Sequence, residues 1–168
     1  MSKLFFLCIL FWISTNLIAT PIKVLHNKEE KIVNQASLDK IKPFTINVTD
    51  PIASTNKKKV NVKYVAYDGR AIFDLAFGNR DAWIKSKNII IECADGYKPV
   101  LPISDFVNGE FYFAISRADG KDFSLNNQSK GGKLEKLAPY YIVWTRKSIQ
   151  AANKGHYWPY QVVGLQLN

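Results

Sequence analysis

NIIIECADGYKPVLPI, residues 88–103, is the stretch that best predicts how this 168-residue chain folds. Asn88–Cys93 is an apolar run that is too short for a helix and is typical of a buried β-strand. The Asp95-Gly96 pair that follows is a strong signal for the turn of a β-hairpin, and residues 97–103 then return as a second strand. Two prolines in this second strand cannot donate backbone hydrogen bonds, so we expect it at the edge of a sheet.

The segments on both sides predict a β-rich domain. Five of them have the alternation or the short apolar run of a strand: 44–48, 60–67, 111–116, 140–144 and 161–167. Residues 70–77 instead have helical spacing and end at Gly78, a residue type that commonly terminates helices. Residues 125–137 have the polar, glycine-containing composition of a loop. The sequence therefore predicts one β-rich α+β domain over residues 44–168.

The N-terminal residues have the layout of a secretory signal peptide. Lys3 supplies a positive charge, residues 4–13 are almost entirely apolar, and the small residue Ala19 marks a cleavage site. The apolar run is shorter than the roughly 20 residues of a transmembrane helix. We therefore predict that residues 1–19 are removed on export and that no stable membrane insertion follows; retention of this segment as an anchor is the alternative. The mature chain is predicted to be periplasmic in a Gram-negative bacterium and secreted otherwise.

Export and charge together narrow the classes of function. Cleavage would leave Cys93 as the sole cysteine, so no internal disulfide can form and a packed core must supply the stability. Residues 20–43 are polar and lysine-rich, and we expect a loosely held N-terminal arm or one short helix there.

The formal net charge is +9, with one cluster at Lys57-Lys58-Lys59. A solvated basic loop is the preferred interpretation of this cluster, and export argues against nucleic-acid binding. The functional interpretation is attraction to an acidic protein or an anionic membrane surface.

Five motifs occur along the chain in the order of a known fold: VAYDGRAIFDLAF (65–77), IIIECADGYKPVLPISDF (89–106), FYFAISRADGKDF (111–123), APYYIVW (138–144) and WPYQVVGLQL (158–167). Together they resemble the pterin-binding fold of sulfite-oxidase-type molybdenum oxidoreductases, in particular small exported stand-alone versions. The resemblance spans about residues 44–168 and depends on the order and spacing of the motifs.

The resemblance implies three hypotheses about function. In catalytic members of this family a cysteine thiolate well upstream of the Asp-Gly-Tyr motif ligates molybdenum, whereas Cys93 lies two residues before Asp95 and does not match that position. The resemblance thus favours a non-catalytic binding or accessory module without a cofactor, beside an exported redox protein such as a cytochrome. One alternative is a minimal molybdopterin-dependent oxidoreductase in which Cys93 ligates the metal. The other is a structural interaction protein of the cell envelope.

Six residues are candidates for a pocket or a ligand-binding site: Cys93, Asp95, Tyr97, Arg117, His156 and Trp158. Alternation places Cys93 on the same strand face as Ile89 and Ile91, which favours a packed and inert thiol. Turn geometry alone explains Asp95, and an exposed charged loop explains Arg117.

The functional interpretation places a site where loops leave a rigid β scaffold. The turn at residues 95–97 and the aromatic loop that contains His156 and Trp158 are the segments expected to line it. Some of the nearby aromatic side chains, Tyr160 among them, could form the mouth of a pocket. Arg117 could face a phosphate group with its two-pronged guanidinium. No pair of carboxylates is placed for acid–base catalysis, so no catalytic residue is predicted.

Overall fold

Two β-sheets contribute to one hydrophobic core in the computed structural model, which describes residues 20–145 and 157–168. The first sheet has five strands, in the spatial order β2 (Glu29–Val33), β1 (Ile22–His26), β11 (Val162–Leu167), β5 (Asn88–Cys93) and β6 (Val100–Pro102). β1 and β11 run parallel, and the other neighbours are antiparallel. The first and last strands of the described chain therefore lie side by side in the middle of this sheet.

The second sheet is antiparallel throughout and has four strands. Their spatial order is β10 (Tyr141–Trp144), β7 (Phe111–Arg117), β4 (Asn61–Asp68) and β3 (Phe44–Thr49). A separate hairpin is formed by β8 (Ser124–Asn127) and β9 (Lys133–Lys136). A short 3-10 helix, Gln128–Lys130, lies between these two strands.

Residues 20–145 and 157–168 also contain four short helices: α1 (Gln35–Leu38), α2 (Gly69–Phe77), α3 (Arg80–Trp83) and α4 (Ile103–Asn108). α2 begins after Asp68, whose carboxylate accepts hydrogen bonds from the backbone N–H groups of Arg70 and Ala71 at 2.8 and 3.2 Å. It ends at Gly78, which has a φ of 110°. Asp74 in α2 also accepts a hydrogen bond from the Trp83 indole at 2.7 Å, and this bond links α2 to α3.

Aromatic contacts join the helices to the second sheet. The ring of Phe73 in α2 lies 4.8 Å from the ring of Phe111 in β7, measured between centroids. Phe106 in α4 lies 5.1 Å from Trp144 in β10. All four side chains are almost completely buried. Buried aromatic pairs add stabilisation beyond their area burial, so this cluster contributes to stability in a domain whose described cysteine, Cys93, forms no disulfide.

The structure confirms several of the sequence predictions. The domain is β-rich, α2 has nearly the predicted extent, and β5 and β6 form a hairpin with β6 at the edge of its sheet, as predicted. The second strand is shorter than the predicted 97–103, because it covers only Val100–Pro102 and Ile103 begins α4. Ile89, Ile91 and Cys93 point to the buried side of β5. Within residues 20–145 and 157–168, none of the helices has the length and apolarity needed to cross a membrane. The predicted signal peptide and His156 lie outside the residues that the structure describes.

Two segments differ from the predictions. Residues 20–43 were expected to be a loose arm or one short helix, but they form β1, β2 and the single turn of α1, and Ile22 and Val24 are buried in the core. Pairing of β1 with β11 explains the difference, because a strand that alternates over only a few residues is stabilised by its neighbours in the sheet. Residues 125–137 were expected to be a loop, but most of them form the β8–β9 hairpin.

We predict that Gly69→Ala lowers the free energy of unfolding by about 1–3 kcal/mol. A methyl group at this position would overlap the ring of Phe111 and lie 2.6 Å from the Phe111 carbonyl oxygen. This overlap outweighs the gain of roughly 1 kcal/mol in helix propensity. Chemical denaturation measures the difference. Gly164→Ala is the matched control, because its nearest neighbour is the end of the flexible Glu92 side chain, and an equal loss in both variants would contradict the prediction.

Candidate functional site

A pocket of about 440 Å³ opens where four distant segments of the chain meet. We call it the aromatic pocket. The pocket is lined by Asp95 and Tyr97 from the β5–β6 turn and by the segment Trp158, Pro159 and Tyr160 that precedes β11. It is also lined by Asn127 at the end of β8, by Ser129 and Lys130 after it, and by Pro51 and Ile52 after β3. Three of the six predicted site residues, Asp95, Tyr97 and Trp158, therefore share one pocket.

The β5–β6 turn holds its two pocket residues in place through local hydrogen bonds. The Asp95 carboxylate accepts a hydrogen bond from the backbone N–H of Tyr97 at 3.0 Å. Gly96 between them has a φ of 87°, a left-handed conformation that favours glycine. The Tyr97 side chain is 46% exposed and so offers its ring to a ligand, whereas Trp158 is 2% exposed and forms part of the pocket floor.

A second depression, of about 850 Å³, is also lined by the β8–β9 hairpin, and we call it the basic groove. Lys58, Arg117 and Lys121 line it, with Asp122 as the acidic member. Arg117 belongs to this groove and not to the aromatic pocket. Its Nε and Nη2 donate to both carboxylate oxygens of Asp119 at 3.0 and 2.7 Å, so the two-pronged face expected to hold a phosphate already has a partner.

The Arg117–Asp119 pair stabilises the charged form of each residue. Its hydrogen bonds hold the pKa of the Asp119 carboxyl well below its usual range and raise the pKa of Arg117. Arg117 also donates to the Ser124 carbonyl at 3.4 Å, which connects the end of β7 to the start of β8. The guanidinium is therefore held in place at the wall of the basic groove, with its charge paired by Asp119.

Cys93 faces the core and lines neither depression. Its side chain is 4% exposed, and it lies opposite Val162 in β11. Burial, with a further contribution from the Asp95 carboxylate, raises the pKa of the Cys93 thiol to about 12. A nucleophilic cysteine must be a thiolate, and a pKa this high keeps the metal-free thiol protonated. The molybdenum ligand of the enzymatic alternative would need access to a cavity, and the buried Cys93 side chain lines neither depression.

A buried carboxylate that the sequence analysis missed supports both depressions. Asp50 is fully buried at the end of β3 and accepts hydrogen bonds from the Tyr64 and Tyr141 hydroxyls at 2.8 and 3.0 Å. It also accepts from the backbone N–H groups of Ile52 and Ala53 at 2.8 and 3.1 Å. Burial raises the pKa of the Asp50 carboxyl, and the four hydrogen bonds oppose that shift. Ile52 lines the aromatic pocket and Ala53 lines the basic groove, so Asp50 fixes the loop between the two.

No family model matches this chain, and no curated protein matches it either. Nothing in these comparisons tests the resemblance to sulfite-oxidase-type domains, which stays a prediction. Among the residues that the structure describes, no three histidine, cysteine, aspartate or glutamate side chains gather as a metal-binding group. The features on which a functional hypothesis can rest are therefore the aromatic pocket and the basic groove.

Proposed function

We propose that the protein is an exported, non-catalytic binding module of the sulfite-oxidase-like fold, which docks on an acidic exported redox protein such as a cytochrome. The observation that supports this most directly is the pairing of an open, cation-lined groove with a cysteine buried in the core. The groove offers a docking surface, and the thiol that an enzyme would need does not reach it.

The charge around the basic groove suits an acidic partner. Lys58 and Lys121 lie in the groove, and Lys57 and Lys59 flank it in the same exposed loop. None of Lys57, Lys58 and Lys59 forms a salt bridge to another described residue. Unpaired surface cations raise the rate of encounter with an acidic protein and set the orientation in which it docks.

Reversing three of these charges is expected to abolish docking. We predict that the triple variant Lys57→Glu, Lys58→Glu, Lys59→Glu retains at least about tenfold less partner than the natural chain, because steering and charge complementarity both change sign. The full chain is immobilised, incubated with the exported fraction of its native host and eluted with salt. The eluate is assayed for haem and flavin absorbance.

A matched control separates local charge from net charge. Lys28→Glu, Lys40→Glu, Lys42→Glu changes the net charge by the same amount at exposed lysines outside the groove lining. Loss of a haem or flavin protein in the groove variant alone supports the proposal. Equal loss in both variants, or an eluate without any redox protein, contradicts docking on a redox protein. Stoichiometric molybdenum that is lost in Cys93→Ser would overturn the non-catalytic assignment.

A further inference from the structure

The aromatic pocket lies apart from the docking groove and has the make-up of a small-molecule site. Its volume falls within the range of about 300–1,000 Å³ that is usual for ligand pockets. Most of its wall is apolar, from Tyr97, Trp158, Pro159, Tyr160 and Ile52. A few polar groups are set into this wall, which is the composition that orients a ligand as well as burying it.

Asn127 is the polar group whose geometry is most informative. It is 4% exposed, and its Oδ1 accepts hydrogen bonds from the Ser129 backbone N–H and hydroxyl at 3.1 and 2.7 Å. Because a backbone N–H can only donate, these bonds identify which amide atom is the oxygen. The Asn127 Nδ2 donates to no other described residue. It is also not a fully buried atom without a partner, because Arg70 Nε is the one such atom among the described residues. The amide nitrogen thus keeps its hydrogen-bond donors for the pocket that Asn127 lines.

Charges of both signs limit the kind of ligand. The Asp95 carboxylate lines the pocket, and its Oδ1 accepts the Tyr97 backbone N–H. Lys130 also lines it, and its Nζ donates to Glu135 at 3.1 Å and to the Tyr160 hydroxyl at 3.3 Å. An anion is attracted by Lys130 but repelled by Asp95, and the reverse holds for a cation. A ligand without net charge that both donates and accepts hydrogen bonds fits the two groups together.

We propose that the aromatic pocket binds a neutral pyranose sugar unit. Such a ring has an apolar C–H face, which suits the exposed ring of Tyr97, and a rim of hydroxyl groups that donate and accept. The Asn127 amide donates to one hydroxyl of the sugar, and the Asp95 carboxylate accepts from another. The pocket would give the module a second binding activity, independent of protein docking.

Titration of the full chain with methyl β-glucopyranoside and with diacetylchitobiose tests this proposal. Saturation-transfer NMR and intrinsic tryptophan fluorescence report on the pocket, and choline and citrate serve as the cationic and anionic probes. We expect at least one of the two sugars to bind. Binding of neither sugar, or tighter binding of choline or citrate, would overturn the proposal.

Two substitutions locate the binding site. Tyr97→Ala removes a half-exposed ring, and Asn127→Asp keeps the oxygen that Ser129 needs while it removes the amide donor. Each is expected to weaken sugar binding roughly tenfold. Val100→Ala is the matched control, since this residue is 56% exposed on the same hairpin and lies outside the pocket lining.

The outcomes remain clear if the Asn127 variant fails to fold, because the exposed position of Tyr97 makes Tyr97→Ala a mild change. Sugar binding that is unaffected by Tyr97→Ala would contradict the proposed site. The pocket variants leave Lys57, Lys58 and Lys59 intact, so failure of sugar binding and failure of partner docking are separate results.

Discussion

Asp50→Ala is expected to lower the free energy of unfolding by roughly 3–5 kcal/mol, measured by chemical denaturation. The substitution removes the acceptor of four hydrogen bonds, two of them from the fully buried hydroxyls of Tyr64 and Tyr141. Unpaired buried donors lose their interaction with water and gain nothing in return. The loop that lines both depressions also loses the group that fixes its start.

Three comparisons test this role of Asp50. Asp50→Asn keeps an oxygen for the loop N–H groups, and the tyrosine hydroxyls can rotate to accept from its amide, so we expect a smaller loss of about 1–2 kcal/mol. Tyr64→Phe removes one donor without stranding the others. Asp122→Ala, at an exposed carboxylate of the basic groove, is the control and should change stability by less than about 0.5 kcal/mol. If Asp50→Ala were as stable as this control, the buried network would contribute nothing to the fold.

The pH dependence of stability gives an independent readout of Asp50. Because burial raises the pKa of its carboxyl in the folded state, the unfolded chain releases this proton at a lower pH than the folded protein does. As the pH rises from the ordinary aspartate pKa near 4, the natural chain should therefore lose stability relative to Asp50→Asn. If the natural chain instead gained stability relative to Asp50→Asn as the pH rises, the four hydrogen bonds would lower the pKa of Asp50 by more than burial raises it.

The parts of the fold that could be predicted from the sequence are those in which local signals agree. In residues 88–103, an apolar strand, a glycine turn and two prolines all indicate an edge hairpin, and the structure has one. α2 was likewise predictable, because helical spacing and Gly78 indicate the same boundary. Agreement between independent local preferences makes such elements insensitive to the rest of the chain.

The segments that were mispredicted depend on distant partners. β1 has only two buried residues of clear alternation, Ile22 and Val24, and its place in the sheet is set by β11, which lies at the other end of the chain. The β8–β9 hairpin is mostly exposed, so its residues lack the apolar alternation that identifies a strand. Hydrogen bonds to the neighbouring strands stabilise these segments, although their own sequences show little strand preference.

The candidate site was predictable in part. Turns and aromatic segments on a β scaffold commonly hold function, which predicts a site at Asp95, Tyr97 and Trp158, and all three line one pocket. The pocket also depends on Asn127, which in the sequence is an ordinary polar residue in a polar stretch. Asp50 gave no signal either, since an Asp-Pro pair is typical of a solvated turn. Its burial follows from Tyr64 and Tyr141, which lie 14 and 91 residues away along the chain.

The Cys93 thiol is expected to react roughly 1,000-fold more slowly in the folded protein than in the unfolded chain near pH 8. Burial raises its pKa from an ordinary value of 9.0 to about 12, and the thiolate fraction at that pH falls in proportion. The full chain with Cys8→Ser is treated with iodoacetamide, with and without denaturant, and alkylation is followed by mass spectrometry. The native rate should keep rising with pH in the range where an exposed thiol, with its ordinary pKa of 9.0, is already fully ionised.

A cysteine placed one residue away provides the matched control for this measurement. Ala94 is exposed, so Ala94→Cys in a chain that also has Cys93→Ala and Cys8→Ser should react about as fast folded as unfolded. A slow Cys93 beside a fast Cys at position 94 would place the natural sulfur in the dry core. It would leave the enzymatic alternative without a ligand at this position. A Cys93 that is alkylated as rapidly as the control would mean that its sulfur reaches solvent as a thiolate, and the non-catalytic assignment would then be wrong.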